Sequence, residues 1–187
     1  MSSRSKSVNL LLVFVLAFGL VGLWPAQEVK AASDIRISQV YGGGGNSGAI
    51  VKSDFIELFN AGTNPVSVAG WSIQYASADG NTWKATNLTG TILPGKYYLI
   101  KEADGAGGSV ELPTPQATGN IAMGAANGKV ALVNSTTLLT GTCPTGLVDF
   151  VGYGTANCSE GSATLAPSNT TAAIRNAEGC TDTDNNL

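Results

Sequence analysis

The chain has 187 residues, with 10 Lys and Arg against 13 Asp and Glu, no histidine and a hydrophobic content of 43%. The absence of histidine removes Ser-His-Asp triads, Cys-His dyads and histidine-bound metals together. A net charge of −3 with scattered basic residues lacks the electrostatic footprint of a nucleic-acid binder, and the length suits one domain with a real core.

Arg4 and Lys6 precede an apolar run from Leu10 to Trp24, and a polar stretch then ends in Val29-Lys30-Ala31-Ala32. A basic start, a short apolar centre and small residues at a cleavage point predict a secretory signal peptide over residues 1–31, cut after Ala31. The apolar run is shorter than the roughly 20 residues that a spanning helix needs, so cleavage is expected rather than anchoring. Loss of Arg4, Lys6, Lys30 and Glu28 leaves seven basic and twelve acidic side chains, a net charge of −5. The expected product is a secreted, monomeric protein with no membrane span.

Residues 34–41 alternate polar and apolar and read as the first strand. Gly43-Gly44-Gly45-Asn46-Ser47-Gly48 matches the dinucleotide-binding spacing G-x-G-x-x-G, but that motif needs a following helix whose N-terminus meets the pyrophosphate. A strand follows instead, so a plain glycine-rich loop is expected. In residues 54–60, Ile56 and Leu58 point one way and Phe55, Glu57 and Phe59 the other. Ala61-Gly62-Thr63-Asn64-Pro65 is turn chemistry, after which Trp71 opens a second strand as an aromatic anchor for the core. The two strands read as a β-hairpin or β-arch, with Glu57 covering a sheet face or pairing with a basic residue.

Further strands are predicted over residues 82–88, 97–101, 129–134 and 147–153, with an irregular connection over 102–118 and a weak helical turn over 116–126. Seven to nine short strands separated by turns predict an all-β sandwich. Cys143 and Cys158 bracket the last strand, and in an exported chain they are expected to pair. Closing a loop of about 15 residues contributes about 3 kcal/mol in the chain-entropy model. Cys180 is left as the odd thiol, its state open.

The ordered set Ile35–Gly44, Asp54–Asn60, Val68–Tyr75, Leu93–Ile100, Gly128–Val133 and Val148–Gly154 resembles the lamin tail domain in its bacterial, secreted form. The resemblance implies an immunoglobulin-like β-sandwich over residues 32–175 and a C-terminal tail over 176–187, expected to be truncated or frayed. It also implies a context: in secreted bacterial proteins this domain often stands before an endonuclease/exonuclease/phosphatase-type catalytic domain. The segment Arg175–Asn186 is similar to the close of the domain in those proteins.

No catalytic or cofactor-binding residue is expected. Metal-assisted hydrolysis needs convergent carboxylates, and the sequence gives no reason to bring Glu57 and Asp149 together. Asp182 and Asp184 are weak Ca²⁺ candidates in an oxygen-rich tail; a solvated terminus is the expected alternative. Tyr41, Tyr75, Trp83, Tyr97 and Tyr98 are candidates for surface recognition, most of them expected to pack in the sheets. The expected function is a secreted, non-catalytic recognition or positioning module associated with extracellular nucleases, with DNA, a glycan or a cell surface as ligand. Two alternatives stand beside it: the N-terminal part of a secreted metal-dependent DNA endonuclease, and a cell-surface structural or adhesion protein.

Overall fold

In chain order, the alternating segments become strands that pair in two main layers. The structure, a computed structural model, describes residues 34–187. The predicted signal peptide and its cut after Ala31 lie outside the described residues. Every regular element among the described residues is a strand, and no helix among them is long and apolar enough to cross a membrane.

The strands are β1 (Ile35–Tyr41), β2 (Ser53–Asn60), β3 (Val66–Ser67), β4 (Ser72–Ala76), β5 (Lys84–Asn87), β6 (Thr91–Ile92), β7 (Tyr97–Asp104), β8 (Ala117–Thr118), β9 (Gly128–Val133), β10 (Asp149–Tyr153) and β11 (Ala173–Ile174). One sheet runs β11-β1-β2-β7-β8, the second β10-β9-β4-β5, and β3 pairs with β6 in a small ribbon. Among the strand pairs of the described residues, only β7–β8 is parallel. The seven longer strands match the expected set. The four two-residue strands were not legible, because two residues carry no periodicity.

β2 and β4 lie in different sheets, so the segment between them is an arch and not a hairpin. The alternation predicted for β2 holds: Ile56 and Leu58 are fully buried, while Phe55, Glu57 and Phe59 lie half-buried on the outer face. The inner faces meet in one core that includes Ile37, Ile56, Leu58, Ile73, Tyr98, Ile100, Val130, Leu132, Val151 and Tyr153. Trp71 differs from expectation. It precedes β4, is half-exposed and packs only against the margin of this core. Its backbone explains the position: Trp71 N–H donates to Val68 O at 3.0 Å, and its carbonyl accepts from Leu88 N–H at 2.8 Å, which fixes it in a turn.

The second sheet is covered on both faces, so β4, β9 and β10 are buried along their whole lengths. A second apolar cluster on its outer side joins Ala76, Trp83, Ala131, Val133, Phe150 and Cys158. Loops form the cover, and polar side chains of β4 hold them. Ser72 Oγ donates to Ser135 O at 2.6 Å, Gln74 Nε2 donates to Thr137 O at 2.9 Å, and Leu139 N–H donates to Gln74 Oε1 at 2.9 Å. The expected Cys143–Cys158 disulfide is formed, with Cα atoms 5.4 Å apart, and Cys180 is a free thiol.

The glycine-rich loop is a packing device. A Cβ on Gly44 would collide with the Ser53 backbone, and Gly45, at φ 65°, lies against the backbone of Gly105. No helix follows it, as the strand reading expected. Residues 119–124, where a helical turn was weakly expected, form an extended strap. Gly119 N–H donates to Lys101 O at 2.8 Å, and Ala103 N–H donates to Ile121 O at 3.2 Å.

Leu58 is fully buried between the layers, whereas Leu165 is 80% exposed. Leu58→Ala should lower the free energy of unfolding by about 2–5 kcal/mol through lost transfer energy and a residual cavity. Leu165→Ala should stay within about 0.5 kcal/mol of the parent in the same urea titration.

Candidate functional site

The two sheets approach each other along β1 and β10 without pairing as strands, and charged side chains satisfy the backbone there. Ile37 N–H donates to Asp149 Oδ2 at 2.5 Å, while Asp149 Oδ1 accepts from Phe150 N–H at 2.7 Å. Arg175 completes the seam from just beyond β11. Its Nε donates to Ile37 O at 2.8 Å and its own N–H to Ser38 O at 3.0 Å. Its guanidinium then spans three carboxylates: Asp149 Oδ1 at 2.6 Å, Glu160 Oε2 at 3.3 Å and Asp182 Oδ1 at 2.7 Å. The side chain of Asp149 is 1% exposed and that of Arg175 is 9% exposed.

A planar fork is what this position needs, since one side chain must reach a carbonyl and three carboxylates in different directions. Three acids against one base leave the cluster with surplus negative charge. Burial raises the Asp149 carboxyl, and Arg175 offsets this only in part. Glu160 is pushed up to about 7 by burial, then by the neighbouring Asp149 and Asp182 charges.

Asp149, Glu160 and Asp182 each offer an oxygen within 4.8 Å of the others, the spacing of a cation site. Arg175 is the cation these oxygens hold in the structure. The tail candidates separate accordingly: the Asp182 carboxylate is committed to Arg175, while Asp184 is exposed and its N–H donates to Asp182 Oδ1 at 3.1 Å. Glu57 lies elsewhere, on the outer face of the first sheet, where its Oε1 accepts from Ser38 Oγ at 2.7 Å.

The segment 176–187, expected to be frayed, folds back on the seam. Asn186 is its keystone. Its Nδ2 donates to Phe150 O at 3.0 Å and its Oδ1 accepts from Gly152 N–H at 2.8 Å. A carboxamide has the donor and acceptor of a peptide group, so this side chain stands where a further strand would pair with β10. Its own N–H donates to Glu160 O at 3.0 Å, which ties the tail to the loop beyond β10. Beside these residues lies a cavity of about 180 Å³, bounded by β1, β11 and the tail.

Two other buried carboxylates hold backbone rather than ligand. Asp54 accepts from Gly44 N–H at 2.9 Å and Met123 N–H at 2.8 Å, and burial pushes its carboxyl up to about 6. Glu102 Oε2 accepts from Ile121 N–H at 2.9 Å, again with a carboxyl raised chiefly by burial. Fully buried Lys129 donates to Gly80 O at 2.7 Å and to Thr142 O and Asn157 Oδ1 at 2.8 Å each, with its ammonium 5.7 Å from the Trp83 ring. Of the aromatic candidates, Tyr41, Tyr75, Trp83 and Tyr98 are buried, and Tyr97 alone among them is exposed. Its hydroxyl donates to Glu178 O at 2.8 Å and lies 3.3 Å from Cys180 Sγ.

Arg175, Glu160 and Asn186 were missed in the sequence. One signal was there: Arg175 is the only basic residue after Lys129, among five acidic ones. Nothing in the spacing says that these acids converge.

Arg175→Ala should cost about 3–5 kcal/mol, because it strands the buried Asp149 carboxylate and the Ile37 carbonyl, and Arg175→Lys should recover only part. The pH dependence has a definite sign. Glu160 and Asp54 have folded-state values raised above 4.5 and 3.8, so their contribution is present at low pH and fades as pH rises through about 7 and about 6. The melting temperature should therefore rise between pH 8 and pH 5, and Glu160→Gln should flatten the upper part of that profile.

Compared with known families, residues 28–155 match the family model described as Lamin Tail Domain. No curated protein matches the chain. Arg175, Glu160 and Asn186 lie beyond the matched residues.

Proposed function

The chain belongs to the lamin tail domain family by a match over more than half its length, and on that premise we propose that it is a secreted, non-catalytic recognition or positioning module associated with extracellular nucleases. The observation that carries the non-catalytic part is the employment of the buried acids. Asp54 and Glu102 accept backbone N–H groups, and Asp149, Glu160 and Asp182 share a guanidinium already in contact with them. Metal-assisted hydrolysis needs carboxylates free to take up an ion and a water. Here a bound ion would first have to displace a side chain on which the contact between the sheets depends.

Export is supported by the basic start, the short apolar run and the small residues Val29 and Ala31. The Cys143–Cys158 disulfide suits an oxidising compartment. The nuclease association rests on the resemblance of the tail to the close of the domain in secreted nucleases. In that setting the domain binds and positions, and the bond-breaking groups belong to another domain.

The test is DNA hydrolysis by the purified, folded protein with Mg²⁺, Mn²⁺ or Ca²⁺ and a chelator control. No cleavage is expected. Chelator-sensitive cleavage that follows the folded protein through purification would overturn the reading in favour of an endonuclease, with Asp149, Glu160 and Asp182 as the metal-holding group.

A further inference from the structure

The cavity beside the seam has a chemistry of its own. It is lined by Ile174 of β11, by Asn176 just beyond it, and by Thr181 and Thr183 of the tail. Thr164 also lines it. The hydroxyls of Thr164 and Thr181 and the carboxamide of Asn176 carry no hydrogen bond to another described residue, so they are open to a ligand. Ile174, 57% exposed, and Leu187, 71% exposed, add an apolar rim.

Charge narrows the occupant. Arg175 touches the cavity, but its Nε and both terminal nitrogens are directed at Ile37 O, Asp149, Glu160 and Asp182. It has no free fork for a phosphate or carboxylate, and the surplus negative charge behind it repels anions. A cation finds the carboxylates already turned toward Arg175. What remains is a neutral ligand that exchanges hydrogen bonds with hydroxyls and amides and lays C–H groups on an aliphatic rim. Size narrows it further. A cavity of about 180 Å³ lies below the ~300–1,000 Å³ of sites for larger organic ligands, so it admits one small ring.

We propose that this cavity is the binding subsite for one neutral sugar ring, the end or a branch of an extracellular glycan. The proposal rests on the reading of the domain as a recognition module and gives that module its ligand class.

The test is a titration of the full, purified protein with glucose, galactose, mannose and N-acetylglucosamine at millimolar concentration, followed by backbone amide NMR. Inorganic phosphate and calcium chloride are run in parallel. At least one sugar should shift the amides of Asn176, Thr181 and Thr183. Asn176→Ala and Thr181→Val, both exposed positions, should each weaken that binding by about tenfold. Ser135→Ala, in the loop cover of the second sheet, should leave it unchanged. The subsite is overturned if no sugar moves these amides, if the two variants bind as the parent does, or if phosphate or calcium moves them in place of sugar. DNA cleavage in the chelator assay removes the module reading whatever the sugars do. Flat sugar titrations without cleavage remove the subsite alone.

Discussion

The fold depends on a problem of backbone satisfaction at the seam between β1 and β10. The sheets converge there, yet β1 does not pair with β10, so Ile37 brings a buried N–H and a carbonyl with no strand opposite. An unmet buried polar group costs about 1–3 kcal/mol, enough to open a contact of marginal stability. Asp149 and Arg175 answer both groups and then each other. The value of the pair lies less in Coulomb attraction, which desolvation largely cancels, than in the two backbone groups it leaves satisfied. Apolar residues of equal volume would fill the space and still leave Ile37 unmet.

The same logic recurs wherever the sandwich lacks a strand. Asp54 and Glu102 hold the 119–124 strap, Lys129 gathers three loops over the second sheet, and Asn186 covers the edge of β10. In each case a side chain does what a neighbouring strand does elsewhere. This explains how a domain with so many turns holds its loops against the sheets. It also explains why its buried acids have raised carboxyl values: they are placed for their acceptor geometry, in surroundings that penalise charge.

The sequence showed the fold wherever a face alternates. Ile56 and Leu58 announced β2, and the alternating residues from Ile35 announced β1, because a period of two is a local property. The disulfide was legible because two cysteines bracket one strand in a chain whose start reads as an export signal. Trp71 misled, since size and apolarity say nothing of whether a residue sits in a strand or in the turn before it. The seam was illegible for a different reason. Residues 37, 149, 160, 175, 182 and 186 are joined by topology alone, and no single-sequence pattern links them. The tail looked solvated because its composition is polar. Its Asp182 and Asn186 side chains are in fact held by folding back on the seam.

The reach of the Arg175 contacts sets an order of events. β1 is among the first described segments to be synthesised, but one side of it stays open until residue 175 arrives nearly 140 positions later. Contacts of such separation make closure slow, because the entropy of ordering the intervening chain comes before any reward. A growing chain can pair β1 with β2 early, because the two strands lie close in sequence. Engagement of Arg175 comes later, so the seam between the sheets closes only once residue 175 has been made.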